Sequence, residues 1–279
     1  MKRLLVFGMS GQIGAALAPM LEAGGYAALA VSRQARADTA AIRWLHGSLE
    51  SPPTLPTDVD AILSLGPLDA FAQWHGSALP APGRIIAIGS TSVHSKADAR
   101  DPFERRLAAT LLQAETRLRA DCAATGSALT LLRPTLIYGN GRDQSLSPML
   151  ALARRWRVLP WPRAASGLRQ PVHADDLARA LLQCLDRPEQ TQGRSFDLPG
   201  GEGLSVAAML ARSAGAQAPD ARLLPVPLWL FGLALAIAAR ASGRPVSARG
   251  IVDRLKRDQV FDVEPARRAF AYEPRRFMP

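Results

Sequence analysis

The sequence predicts an α/β fold, with a doubly wound parallel sheet and a smaller C-terminal region. Short, strongly apolar runs alternate with amphipathic helical patterns over the first half of the 279 residues. The first apolar run leads into three glycines spaced three apart, which is typical of a strand, a tight turn and a helix. Beyond about Arg142 the alternation loosens and aromatic and proline residues become more frequent, which predicts loops and short helices over the sheet.

The glycines at the end of the first run have steric roles. Gly8 allows a turn with positive φ, Gly11 leaves room for a phosphate at the backbone, and Gly14 lets helix and strand pack closely. The helix N-terminus then presents free amide groups to an anion. We therefore predict a dinucleotide site here, the alternative being a glycine-rich turn without a ligand. The predicted site comprises Gly8, Ser10, Gly11, Gln12, Ile13 and Gly14.

The second predicted strand, Tyr26–Val31, ends at Ser32 and Arg33. In dinucleotide folds the residue at this position meets the adenosine ribose, where an acid favours the 2′-hydroxyl and an arginine favours a 2′-phosphate. Arg33 therefore predicts NADP in preference to NAD. The alternative is that Arg33 is one more solvated arginine.

Further apolar runs complete the predicted sheet, and a polar cluster follows one of them. Ser90, Ser92 and His94 come directly after the fifth strand, where loops of a parallel sheet face the ligand crevice. A loop capped by serine and threonine is the alternative. The ends of two other strands, at Gly66 and Pro134, are added to the predicted cofactor site. The later strands are predicted at Ile42–Leu45, Ala61–Gly66, Arg84–Gly89, Leu129–Leu132 and Ser195–Leu198.

Helix signals are clear at three places. Asp101 and the following proline predict a helix start, and that helix runs to about Thr125 before a glycine. The segment Pro171–Leu177 predicts a strand, a cap and then a helix that runs to about Leu185, and another short helix is expected over Ser205–Gly215. We divide the chain into a dinucleotide-binding core, 1–141, and an interwoven C-terminal substrate region, 142–279, of which 172–198 returns to the core.

Composition excludes several classes of function. The net charge is +10, but only three of the 34 basic residues are lysines and the arginines are scattered, so no specific nucleic-acid site is predicted. Cys122 and Cys184 lie in helical apolar patterns without metal-ligand spacing, so we predict no metal site and a reducing, cytoplasmic location. No signal peptide is visible. The sequence leaves the oligomeric state undefined.

The most apolar run, Leu223–Ala239, is too short to span a bilayer. A buried or interfacial helix is expected, with ordinary core packing favoured. Because arginines flank the run, the alternatives are peripheral membrane contact through 223–249 or the lining of an apolar substrate pocket.

Together these motifs resemble the extended short-chain dehydrogenase/reductase family, which includes NAD(P)-dependent nucleotide-sugar epimerases and dehydratases. The resemblance covers nearly the whole chain. It rests on the glycine turn, the Ser90–His94 segment, and three further motifs: Leu132-Arg133-Pro134 with Tyr138-Gly139, Val172–Ala178, and Ala266–Arg275. It implies a small-molecule substrate of the nucleotide-sugar type or another carbonyl or hydroxyl compound.

The resemblance also implies roles for single residues. Ser90 matches the serine that orients the substrate, and Arg169 matches an arginine that commonly meets the diphosphate of the nucleotide-sugar. Ser92 is assigned to the same substrate site. His94 stands where a tyrosine is usual, and it is the candidate proton donor because imidazole titrates near neutral pH.

One departure from the family pattern limits the prediction. Counting back from Glu115, the positions of the catalytic Tyr-x-x-x-Lys pair fall on Leu107 and Leu111, which cannot move a proton. Two interpretations remain. The chain is either an atypical oxidoreductase or epimerase that uses another proton donor, or a non-catalytic NADP(H)-binding accessory or sensor protein similar to the dehydrogenase-like subunit of respiratory complex I.

Overall fold

The computed structural model describes residues 2–56, 58–75, 83–141, 143, 146–241 and 248–279, and it confirms the predicted α/β class. The strands are β1 (Arg3–Phe7), β2 (Ala27–Ser32), β3 (Ile42–His46), β4 (Ala61–Ser64), β5 (Arg84–Ile88), β6 (Ala128–Pro134), β7 (Ile137–Tyr138), β8 (Val158–Trp161), β9 (Leu168–Arg169), β10 (Val172–His173), β11 (Ser195–Leu198), β12 (Leu204–Ser205) and β13 (Arg222–Pro225). The helices are α1 (Gln12–Ala23), α2 (Leu68–His75), α3 (Ser92–Ser95), α4 (Pro102–Thr125), α5 (Leu146–Trp156), α6 (Ala174–Asp186), α7 (Pro188–Thr191), α8 (Val206–Gln217), α9 (Leu228–Ala241), α10 (Ala248–Lys256) and α11 (Glu264–Phe270).

Seven strands form the main sheet, in the order β11-β6-β5-β4-β1-β2-β3, and every neighbouring pair is parallel. The chain fills one half of the sheet outward from β1 and then crosses to β4 to fill the other half. In open parallel sheets ligands bind where the strand order reverses, at the carboxyl ends of the strands. That point lies here between β1 and β4.

The central strands are buried on both faces, which explains why they are continuous apolar runs rather than alternating ones. Helices α1 and α6 cover one face, with Leu17 and Leu181 in the same apolar cluster. Helices α2 and α4 cover the other, where Phe71 and Leu118 are fully buried. The sheet is therefore held between two helical layers.

Helix α4 has the start and end that the sequence predicts. The carboxylate of Asp101 accepts hydrogen bonds from the N–H groups of Phe103 (2.9 Å) and Glu104 (3.4 Å), and Gly126 ends the helix with a φ of 71°. Cys122 is buried on its inner face and is a free thiol.

The segment 172–198 contacts the main sheet. Helix α6 begins after His173, whose Nδ1 accepts the N–H of Asp175 (3.1 Å), and it packs against α1. Strand β11 then adds to the sheet beside β6. The predicted boundary at Arg142 lies outside the described residues, as does Arg244 in the basic flank of the apolar run.

The apolar run Leu223–Ala239 differs from the prediction at its start. Its first residues form β13, which pairs in parallel with β8. Strand β8 lies in the region that the sequence predicts to contain loops and short helices. Pro225 and Pro227 prevent helical hydrogen bonding there, so α9 begins only at Leu228. Among the described residues, no helix combines the length and apolar character needed to cross a bilayer.

Candidate dinucleotide and substrate site

The glycine turn lies at the point where the strand order reverses. Gly8 has a φ of 84°, and a Cβ on it would lie 2.8 Å from the backbone N of Gly66 at the end of β4. A Cβ on Gly14 would lie 2.1 Å from the carbonyl oxygen of Met9. Both glycines are therefore required for the chain to fold back this closely.

Gly11, the middle glycine of the turn, is the residue immediately before helix α1. Its N–H donates to the carbonyl of Gly8 (2.9 Å), and it is the N-cap of α1, without a side-chain acceptor for the first helical amides. These amides and the positive end of the helix dipole therefore remain suited to an anion.

A cleft of about 200 Å³ opens beside this turn. It brings together five of the residues assigned to the cofactor, Gly8, Ser10, Ser32, Arg33 and Gly66. The other residues that line it come from the ends of β1 to β4 and the start of α2: Phe7, Val31, Gly47, Ser48, Leu49, Glu50, Pro67 and Ala70.

Glu50 was missed by sequence reasoning. It shares the cleft with Arg33, and its pKa is lowered chiefly by a hydrogen bond from Ser48, with the positive charge of Arg33 as a further cause. Ser32 turns inward, where its hydroxyl donates to the carbonyl of Gln34 (2.9 Å). The cleft thus carries one positive and one negative side chain.

The other five residues assigned to the cofactor, Gly11, Gln12, Ile13, Gly14 and Pro134, lie outside the lining of this cleft. The amide of Gln12 donates to the carbonyl of Gly139 (2.7 Å) and so ties the glycine turn to the segment after β7. Ile13 is buried in the core. The carbonyl of Pro134 accepts both the backbone N–H (3.1 Å) and the hydroxyl (3.2 Å) of Thr91.

The polar cluster after β5 forms the short helix α3. The hydroxyl of Ser90 accepts the N–H of Ser92 (3.1 Å), which fixes the oxygen but leaves its proton available to donate. His94 is half-exposed, and its Nε2 lies 3.3 Å from a guanidinium nitrogen of Arg133 and 3.4 Å from Oδ1 of Asp197.

His94 contacts a partly buried cluster of charged side chains, Arg133, Glu115 and Asp197. Arg133 forms a two-point ion pair with Glu115, donating from Nε (2.7 Å) and from a terminal nitrogen, and the side chain of Glu115 is only 3% exposed. These hydrogen bonds raise the pKa of Arg133. Asp197 lies beside Arg133 because β11 and β6 pair in that register. Sequence reasoning did not assign Arg133 or Asp197 to the site.

The described residues contain no tyrosine in the family's catalytic position. Tyr26 donates to Asp186 (3.0 Å), Tyr272 donates to the carbonyl of Pro199 (3.0 Å), and the hydroxyl of Tyr138 accepts an N–H from the C-terminal tail (3.1 Å). Burial raises all three pKa values, that of Tyr26 to about 12. A catalytic tyrosine needs the opposite shift. Leu107 and Leu111 are half-buried on α4.

Arg169 has a structural role that differs from its predicted contact with the substrate. Its guanidinium donates to the carbonyls of Leu168 (2.7 Å), Arg257 (2.8 Å) and Arg254 (2.6 Å), and the residue is 7% exposed. Burial, with the nearby charge of Arg254, lowers its pKa to about 10. The side chain therefore holds the C-terminal end of α10 in place, and we remove it from the substrate site.

The fold and the glycine turn together define a Rossmann-type α/β protein. No family model matches the chain. It is 25% identical over 162 residues to UDP-glucose 4-epimerase of Vibrio cholerae, a match that covers 58% of this chain and 47% of that protein. It is 32% identical over 142 residues to dTDP-L-rhamnose 4-epimerase of Burkholderia thailandensis, covering 47% and 39%. The chain thus spans less than half the length of these relatives.

Solved structures agree with this resemblance at the level of the fold. MoeE5 in complex with UDP-glucuronic acid and NAD has a TM-score of 0.71 at 20% identity, covering 98% of this chain and 94% of that one. UDP-glucuronic acid 4-epimerase from Bacillus cereus, in complex with UDP-glucuronic acid and NAD, has a TM-score of 0.71 at 14% identity with the same coverage. These structures show the fold, and the similarity to the two curated epimerases confirms the predicted resemblance to the epimerase/dehydratase family.

Proposed function

We propose that this protein binds a nicotinamide dinucleotide along Gly8–Gly14 and acts on a nucleotide-sugar, as an oxidoreductase or epimerase without the usual tyrosine and lysine. The observation that carries the proposal is the glycine turn itself, packed against the end of β4 beside an open cleft. The identities of the relatives support the substrate class. The two buried, free cysteines support a cytoplasmic location.

The chemistry assigns a role to each polar group after β5. The glycine turn would hold a nicotinamide dinucleotide by its pyrophosphate, and the nicotinamide would supply hydride transfer from and to a sugar carbon. The proton of the sugar hydroxyl on that carbon must also move to or from a protein group, and His94 is the proposed acid/base. Its Nε2 lies near a donor nitrogen of Arg133 and an acceptor oxygen of Asp197. An unprotonated Nε2 can accept from Arg133, and a protonated Nε2 can donate to Asp197. Ser90 and Ser92 are proposed to orient the reacting sugar.

His94→Gln is expected to lower kcat by about a hundredfold or more, because general acid/base catalysis contributes at least that much, and to leave KM nearly unchanged. We would follow conversion of UDP-glucose, UDP-glucuronic acid and dTDP-sugars by NMR in the presence of NAD or NADP. His46→Gln, an exposed histidine at the end of β3, is the matched control. Equal kcat for His94→Gln and wild type would reject this assignment.

A wild-type protein that binds the cofactor but converts none of these sugars would instead support the non-catalytic alternative. That alternative needs no proton donor, and it is motivated by Leu107 and Leu111 at the catalytic positions.

The choice between NADP and NAD depends on two residues of the cleft. Arg33 favours a 2′-phosphate, whereas the negative charge of Glu50, on the same cleft, would repel that phosphate. The two side chains are close enough for the charge of Arg33 to contribute to the lowered pKa of Glu50. The neighbouring structures named above contain NAD, which supports NAD. We therefore propose that the protein accepts NAD, and that any affinity for NADP depends on Arg33.

Arg33→Asp is expected to weaken NADP binding about tenfold or more while leaving NAD affinity nearly unchanged, because only NADP carries the 2′-phosphate. Glu50→Gln removes the opposing charge from the same cleft and is expected to strengthen NADP binding. Both dissociation constants are measured by calorimetry. Unchanged NADP affinity in Arg33→Asp would show that the 2′-phosphate site lies elsewhere.

A further inference from the structure

Helix α9 exposes a continuous apolar face. Of its fourteen residues only Arg240 is polar. Leu228 and Phe231 are buried in the C-terminal apolar cluster, so the opposite side of the helix faces outward. Trp229 is 65% exposed and Ile237 is 63% exposed, and Leu230 and Leu233 complete the same stripe. Large contiguous apolar patches of this kind mark interaction surfaces.

The charge around this helix identifies the kind of partner. Residues 144–174 and 221–252 together contain nine arginines and no aspartate or glutamate. The two segments pack together, because β13 from one pairs with β8 from the other. An apolar stripe with exposed arginines at both of its ends is complementary to a surface that is apolar inside and anionic at its rim.

Individual arginines lie at both ends of the apolar stripe. Arg222 precedes the helix and its N–H donates to the carbonyl of Arg157 (2.8 Å), while Arg240 lies in the last turn. All three are exposed, and within the described chain none of their guanidinium groups has a carboxylate at ion-pair distance. Trp156, next to Arg157, is also 66% exposed.

We propose that α9 docks on an anionic lipid bilayer, lying in the plane of the interface. Trp229, Leu233 and Ile237 would enter the headgroup and acyl boundary, and the arginines would meet lipid phosphates. The helix is about 21 Å long, which is too short to span the hydrocarbon core, so an in-plane position fits its length. Tryptophan is the side chain most typical of that depth. The docking is independent of the proposed catalytic site.

The test is co-sedimentation of the full chain with vesicles made from equal parts of phosphatidylglycerol and phosphatidylcholine. The wild type is expected to pellet with these vesicles but not with pure phosphatidylcholine, and high salt is expected to release it. The variant Trp229→Glu/Ile237→Glu is expected to partition about tenfold less or worse, since two charges would have to enter the interface. Leu112→Glu changes a leucine on α4 that is 56% exposed, and it is the matched control.

Two further measurements keep the test decisive. Cofactor affinity and circular dichroism of the double variant should equal those of the wild type, which separates lost docking from lost folding. Brominated lipids should quench the tryptophan fluorescence of the wild type. A wild type that stays in the supernatant would overturn the proposal. So would a dimer in lipid-free ultracentrifugation that the double variant converts to monomer, because a second copy would then cover the face.

Discussion

Glu115→Leu is expected to lower the free energy of unfolding by about 3–5 kcal/mol, which is typical for breaking one side of a buried ion pair. The carboxylate forms both hydrogen bonds of the two-point pair with Arg133 and is almost fully buried. Its removal leaves a buried guanidinium whose only other carboxylate at ion-pair distance, among the described residues, is that of Asp197, at 3.8 Å. The loss is measured by urea denaturation followed by circular dichroism.

A second arginine–glutamate pair in the chain is the matched control. Arg267 and Glu264 form an ion pair on α11 in which both side chains are about half exposed. Glu264→Leu is therefore expected to cost less than about 1 kcal/mol. The double variant Glu115→Leu/Arg133→Met removes both buried charges and is expected to recover most of the stability. Equal losses for Glu115→Leu and Glu264→Leu would contradict the buried pair.

Gly11→Glu is expected to weaken nicotinamide dinucleotide binding about a hundredfold or more, because a carboxylate would occupy the place of the pyrophosphate. The substitution should leave the fold intact. Gly11 has an ordinary extended backbone, is exposed, and precedes α1, where a negative side chain favours the helix dipole. A Cβ there would lie 3.1 Å from the carbonyl oxygen of Gly8, which requires only a small shift.

The control for this variant adds the same charge at a distant glycine. Gly215 lies on α8, and apart from its chain neighbours and the local backbone of the helix, no described atom lies within 4 Å of a Cβ built there. Gly215→Glu is expected to bind the cofactor as the wild type does, and both variants are expected to unfold at nearly the wild-type temperature. If Gly11→Glu binds with wild-type affinity, the phosphates do not meet this turn.

The main sheet could be predicted because its strands carry local signals. A strand buried on both faces is a continuous apolar run, and glycine or proline follows most of these runs, so each strand is visible without knowledge of its partners. Helix α4 was predictable for the same reason, since Asp101 and Gly126 mark its ends.

Features that depend on distant pairing were not predictable. Strands β8 and β13 are separated by about 60 residues along the chain and contain prolines, so neither has the pattern of a strand. The register that sets Asp197 beside Arg133 is likewise invisible before the sheet is assembled. Arg169 matched a motif, but two of its three acceptors, the carbonyls of Arg254 and Arg257, lie more than eighty residues away along the chain.

The central claim is that the turn at Gly8–Gly14 holds the pyrophosphate of a nicotinamide dinucleotide. Isothermal titration of the purified wild-type chain with NAD and with NADP tests it most directly. The account predicts saturable binding of one molecule per chain for at least one of the two nucleotides, and its loss in Gly11→Glu but not in Gly215→Glu. A wild-type chain that gives no binding heat with either nucleotide across several temperatures would contradict it.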